Sequence, residues 1–229
     1  MIRLKHLIAG LALLAPAALL ADPACAGGVQ NRESFQSVSV PLPPGQWEVV
    51  DTVTIPNTRF PNFPITQEIL ISRSGKVVDR VVRIWVQRKK RLEDWFDPYH
   101  PCDADGYFHS EVEANTGNEL DCWHVRALSL GLADDPEPGN KLLAEFGRRN
   151  GLFVPVVMLG ARFVRYHDAS TRYYVEYLWT PDLLIPANTT AKVWTPADWT
   201  GDAVKQDAGK QAVVTAIVDL AKEWYDHIQ

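Results

Sequence analysis

Two cysteines twenty residues apart, Cys102 and Cys122, constrain this chain more than any other feature, and whether they pair depends on a third. That third, Cys25, lies in "ALLADPACAGG" (18–28), after a basic start, "MIRLKH", and an apolar run from Leu7 to Leu20. The run is broken by Gly10 and Pro16 and falls short of the roughly 20 helical residues that span a bilayer. A basic start, a short apolar core and a small-residue site read together as a cleaved signal peptide over residues 1–26. The expected cut follows "ACA", after Ala26, with Gly27 as the new first residue; a cut after Ala21 is the weaker alternative because bulky Leu19 lies three residues from it. Asp22 stands where lipid attachment at Cys25 would want an aliphatic residue, so a lipoprotein is rejected. Losing Cys25 leaves an even pair, which suits an oxidising compartment. The expected location is therefore periplasmic or secreted. The expected bond is Cys102–Cys122, closing a loop of about 21 residues and worth about 3 kcal/mol on chain-entropy grounds.

The whole chain has 229 residues, 23 basic and 28 acidic. Removing residues 1–26 takes away Arg3, Lys5 and Asp22, leaving 203 residues with 21 basic against 27 acidic side chains, a net charge of −6. That balance argues against a general nucleic-acid binder. With 46% hydrophobic residues and no later long apolar run, no transmembrane segment is expected in the mature chain. Residues 27–46, polar "GGVQNRESFQSVSV" followed by stiff "PLPPGQ", read as an N-terminal arm, and residues 47–229 as a single domain.

Within that domain, "WEVVDTVTI" (47–55) reads as a strand, and "TQEILISRSGKVVDRVVRIWVQRK" as two strands around the turn "SRSGK". In the second of these, Val78, Val82, Ile84 and Val86 share a face interrupted by Arg80, while Asp79, Arg83 and Trp85 make the other face partly wet. "ELDCWHVRALSL" reads as another strand, and "LFVPVVMLGARFVRYH" with "TRYYVEYLW" as a hairpin joined near "DAST". "DDPEPGNKLLAEFGRRNG" reads as a short helix, stopped by Asn150-Gly151. In "AGKQAVVTAIVDLAKEWYDHI", Val213, Ile217, Leu220, Trp224 and Ile228 form the stripe of an amphipathic helix. The expected class is α+β: a mainly antiparallel sheet of about 5–7 strands packed by the C-terminal helix and one short internal helix. A small β-sandwich with peripheral helices is the alternative.

The densest chemical cluster is "YHPCDADGYFHSEVEANTGNELDCWH" (99–124). If its thiols stayed reduced, Cys102, His109, Cys122 and His124 would supply a tetrahedral zinc set, although their spacings match no familiar pair of ligand knuckles. A metal-dependent hydrolase built near His100, His109 and His124 is therefore the alternative function. A calcium loop fails: with Gly106 in sixth place, Pro101 and Val112 fall where carboxylates are required. No nucleophile elbow, P-loop, dinucleotide fingerprint or HExxH occurs, and no cofactor is expected. The run "RKKR" (88–91), followed at once by Leu92, Glu93 and Asp94, reads as a solvated turn.

Trp194 and Trp199, in turn-rich "AKVWTPADWTGD", are the candidate binding residues; exposed rings there would stack on a sugar or anchor a partner. Folded back over the sheet, the same segment would be a lid. In composition the chain resembles exported envelope proteins of Gram-negative bacteria, a resemblance that carries no site residue. The function expected is a non-catalytic binding or accessory domain of the envelope, whose partner is an envelope protein or polymer.

Overall fold

The computed structural model describes residues 31–56, 64–88, 101–103, 105–115, 119–130, 137–168, 170–185 and 193–228. The expected signal segment, His100 and most of "RKKR" lie outside them. Seven strands form one antiparallel sheet: β3 (Glu48–Ile55), β4 (Ile65–Ser74), β5 (Val77–Arg88), β6 (His109–Asn115), β7 (Leu120–Ser129), β8 (Val157–Asp168) and β9 (Thr171–Trp179). Their spatial order is β3-β4-β5-β9-β8-β7-β6, so two meanders meet where β5 pairs with β9. A separate hairpin, β1 (Asn31–Phe35) and β2 (Val38–Leu42), accompanies the sheet. The helices are α1 (Pro138–Asn150), α2 (Pro181–Leu184), α3 (Gly201–Lys205) and α4 (Ala208–Tyr225), with a 3-10 turn at Pro196–Trp199. This is the expected α+β class with its internal and C-terminal helices. No helix among the described residues is long and apolar enough to cross a membrane.

Alternation along each strand sends successive side chains to opposite faces. On the front face, Trp123, Val125, Phe163, Val175, Tyr177 and Trp179 pack with Val213, Ile217, Ala221 and Trp224 of α4. Each such fully buried large side chain contributes about 1.5–3 kcal/mol. Arg165 secures the end of α4: its Nη1 donates to the carbonyls of Tyr225 (2.9 Å) and Ile228 (3.1 Å), and its Nε to Asp121 Oδ1 (2.8 Å).

Part of the expected arm, residues 31–42, belongs to this front core. Phe35, Val38, Val40 and Leu42 are buried in it, and the Tyr177 hydroxyl donates to the Pro41 carbonyl at 2.8 Å. The hairpin turns at Gln36 and Ser37, which take φ of +47° and +72°. Such two-residue turns ordinarily advertise themselves by Asn-Gly or Gly, and neither residue type is present here. Arg88 at the end of β5 donates to the Gln36 carbonyl (2.8 Å) and to Ser37 Oγ (3.1 Å), tying the turn to the sheet.

A bulge in β5 changes which residues share a face. Ser72 pairs with Arg80 but Arg73 with Val78, so Asp79 is the extra residue. Val78 is thereby placed with Val81 on the back of the sheet rather than with Val82, Ile84 and Val86 on the front. The second face of β5 is not wet either: Val81, Arg83, Trp85 and Gln87 are all buried. Burying that polar face is what creates the candidate site.

Candidate functional site

The back of the sheet carries two apolar clusters with a charged row between them. Beneath α1 lie Ile69, Ile71, Val78, Val81, Met158 and Leu178, packed on Leu143. At the other end Cys102, Leu120, Cys122 and Val164 cluster beneath the segment that starts at Pro101. The strand register sets the intervening row: Arg83 of β5 faces Glu176 of β9, Glu176 faces Arg162 of β8, and Arg162 faces His124 of β7. Directly opposed side chains in a sheet start about 4.5–5.5 Å apart at Cβ. Four consecutive polar groups are therefore forced into contact.

Glu176 is the centre. It is fully buried, and three guanidiniums hold its two oxygens. Oε2 accepts from Arg83 through Nε (2.8 Å) and through Nη2, while Oε1 accepts from Arg126 Nη2 and Arg162 Nε, both at 3.0 Å. Burial alone would raise this carboxyl's pKa; Arg162, Arg83 and Arg126 overcome that and hold it well below the usual carboxylate range. Arg126 is paired with Gly160 of β8, where a Cβ would stand 1.9 Å from the Tyr177 carbonyl oxygen, so that close approach of β8 to β9 requires glycine. Arg83 goes on to the start of α1, donating through Nη1 to Glu137 Oε2 (3.0 Å) and to Asn140 Oδ1. Glu137 also caps α1, its Oε2 accepting from the Asn140 amide at 2.9 Å. The network thus clamps helix and sheet together.

Trp85 lies against this network. The guanidinium carbons of Arg83 and Arg162 stand 4.8 and 4.9 Å from its ring centre. Arg162 differs from Arg83 in what it has left over. Only its Nε is hydrogen-bonded among the described residues, and its side chain keeps 20% of its exposure. Its Nη1 and Nη2 make no hydrogen bond to a described residue, while burial, the largest influence on this guanidinium, lowers its pKa.

On the far side of Arg162, the His124 ring is 1% exposed, and neither ring nitrogen has a hydrogen-bond partner among the described residues. Tyr107 stacks on it at 3.8 Å, nearly parallel. Burial first, then Arg162 and Arg126, push the His124 pKa down from 6.5 to about 3. The unfolded chain therefore takes up a proton, between pH 6.5 and about 3, that the folded chain refuses. The associated stability is complete above pH 6.5 and lost on acidification, at about 1.4 kcal/mol per pH unit. From pH 6.5 to 5 the wild-type chain should lose about 2 kcal/mol more than His124→Phe, read from urea midpoints. Parallel pH profiles for the two would contradict a buried, neutral His124.

The sulfurs of Cys102 and Cys122 are 2.03 Å apart, a disulfide that ties the segment carrying Tyr107 to β7. Replacing both cysteines by Ala should cost about 3 kcal/mol, since the bond closes a 20-residue separation. A urea midpoint insensitive to both reductant and this double substitution would show that the bond restrains nothing.

The geometry separates the residues proposed for zinc. Bonded sulfurs are not thiolate ligands, and His109, opposite Val125 on the front face, is back to back with His124. His109 Nε2 instead lies 2.9 Å from Glu111 Oε1, which Lys222 Nζ approaches to 3.1 Å. Among the described residues no group of three or more His, Cys, Asp or Glu side chains is placed to hold a metal ion. The two tryptophans part company as well. Trp199 is 3% exposed within the front core, so it offers no ring to a partner. Trp194 packs over it, ring centres 5.2 Å apart, and its Nε1 donates to Asp182 Oδ1 at 2.9 Å. Both rings thus pack against the front core, Trp199 within it and Trp194 beside it.

Arg83, Arg126, Arg162 and Glu176 were not singled out by sequence. Their only signal is period 2: each replaces an apolar residue on one face of a strand whose other face is apolar. Alone, each such position looks like a solvent-facing residue. Comparison with protein-family models, with curated proteins and with solved structures finds no match to this chain.

Proposed function

We propose that this chain is an exported, non-catalytic binding or accessory domain of the bacterial cell envelope, and that the back of the sheet at Arg162 is where it holds an anionic part of an envelope protein or polymer. One observation supports the reading above others: Arg162 is fixed by Glu176 and the Trp85 ring, its Nη1 and Nη2 have no hydrogen-bond partner among the described residues, and its side chain as a whole keeps a fifth of its exposure. A guanidinium held in place loses little further side-chain entropy on meeting a ligand, which is the advantage of a preorganised receptor. The row has no nucleophile beside a base, and its one histidine is neutral and buried. Binding is the chemistry such a row favours. The export signal expected over residues 1–26 and the paired cysteines fit an envelope location.

The test is co-sedimentation of the purified chain with envelope fractions over a salt series. Arg162→Lys keeps the charge but loses the planar fork; Lys205→Gln removes an exposed charge on α3 as control. Expected is salt-sensitive retention, lowered about tenfold by Arg162→Lys and unchanged by Lys205→Gln, the loss of one charge-assisted hydrogen bond being worth about that factor. Equal retention of wild type and Arg162→Lys would sink the proposal.

A further inference from the structure

Six large apolar side chains are well exposed among the described residues, and three of them meet at one place. Val77 at the start of β5, Phe153 just after α1 and Val193 before the 3-10 turn are 39%, 55% and 78% exposed, and all three line one recess at an end of the sheet. Pro155, Val156 and Trp194 complete its apolar wall. Single exposed apolar residues are ordinary, whereas a contiguous patch assembled from separate parts of a chain marks a contact surface. The patch is also fixed in place. The Phe153 amide donates to the Lys76 carbonyl (2.7 Å) and the Val78 amide to the Phe153 carbonyl (2.9 Å), which laces this segment to β5. Asp182 holds the Trp194 indole, and the capped turn at Thr195 follows at once. A backbone held in this way keeps the side chains in water, and little ordering is left to lose on association.

Size and shape choose the occupant. The recess holds about 80 Å³, well under the roughly 300–1,000 Å³ of small-molecule pockets and under the roughly 150 Å³ that accepts a benzene ring. It has room for one small aliphatic side chain. Val193, the most exposed of the three, stands on its wall and is such a side chain. Knob and hole therefore lie on the same surface, which is what a self-complementary, two-fold contact requires. Charge agrees. Exposed Lys76, next to Val77, and exposed Asp182, on the recess itself, border the patch with one charge of each sign. A second copy can set each against its opposite, while a strongly acidic or basic partner would bring one of them against its own sign.

We propose that this patch is the contact surface between two copies of the chain in a two-fold dimer, each copy's Val193 entering the other's recess with Phe153 and Trp194 packed around it. The contact does not depend on Arg162, so it stands or falls apart from the anion receptor.

Sedimentation equilibrium of the purified chain over a wide concentration series tests this, beside Val193→Asp and, as control, Val49→Asp on the edge strand β3. Both positions are exposed, Val49 at 50%, so neither change should disturb folding, which urea midpoints check. Expected is twice the chain mass for the wild type and for Val49→Asp, with Val193→Asp dissociating about tenfold more readily. Should Val193→Asp fold poorly, Phe153→Ala is read in its place and should weaken the dimer likewise. A wild type that keeps the single-chain mass throughout overturns the proposal. A dimer indifferent to Val193→Asp, or weakened by Val49→Asp instead, places the contact elsewhere and overturns it too. A single-chain mass combined with an apolar dye that binds the wild type and not Val193→Asp would give the patch to a partner of another kind, and the second copy would be excluded.

Discussion

Glu176→Leu is expected to cost about 3–5 kcal/mol, because it deletes the one anion around which three guanidiniums are packed. For a domain whose total stability is of the order of 5–15 kcal/mol, that is enough to leave a sizeable unfolded fraction. The size of the effect comes from what is left behind more than from what is removed. Arg83 is 2% exposed and has no route to water, and Arg162 would lose the group that fixes it. Arg126, 25% exposed at its side chain, is the best placed to relax outward. The charge origin of the loss is checked by removing the partners as well. Adding Arg83→Met and Arg162→Met to Glu176→Leu should return part of the lost stability, since burying no charge is cheaper than burying an uncompensated one. Urea unfolding of the single and the triple variant makes the comparison. A Glu176→Leu loss below about 1 kcal/mol, or no recovery in the triple variant, would mean that the row is held by its apolar surroundings instead.

Trp199→Ala should be nearly as damaging, at about 3–5 kcal/mol, whereas Trp194→Ala should stay within about 1 kcal/mol. Both rings lie in one turn-rich segment, and burial separates them. Trp199 sits in the front core with Val204, Val213 and Val214, where a truncated side chain leaves a void. The turn that delivers it is locally fixed: Thr195 and Asp198 form a reciprocal cap, the Thr195 amide and hydroxyl donating to Asp198 Oδ2 at 2.9 and 2.7 Å. Trp194 is only half-buried, over the edge of the same core. Thermal or urea unfolding of both variants separates a lid from an exposed aromatic platform. Equal, small losses would return Trp199 to the surface as a binding residue.

What the sequence revealed and what it hid follow one physical division. Strands with an apolar face and ordinary turn residues, such as β4 and β5 around Gly75 or β8 and β9 around Ser170, were readable because alternation and turn chemistry agree. The stripe of α4 was readable for the same reason, although Ala221 takes the fully buried place where Leu220 stood in the reading. β6 went unread because it is an edge strand with polar His109, Glu111 and Glu113, and no apolar face announces it. The β1–β2 hairpin went unread because Gln36 and Ser37 adopt a backbone that composition does not advertise. The site was the least legible part. A polar residue at every second strand position normally faces water; here four such residues from four strands face one another under α1 and the disulfide-tied segment. Only the strand order, which brings β5 beside β9, puts Arg83 against Glu176, 93 residues later. Cys102 and Cys122, by contrast, could be paired by parity once Cys25 is read as part of the signal segment.

The most direct measurement is an acetate titration of the purified chain followed by NMR of the arginine side chains, with the Arg162 signal identified by its loss in Arg162→Lys. Expected is a saturable shift of Arg162 while Arg83, whose nitrogens are engaged by Glu176, Glu137 and Asn140, stays in place. An Arg162 signal that does not move at acetate concentrations where another arginine saturates would contradict the back of the sheet as the anion receptor.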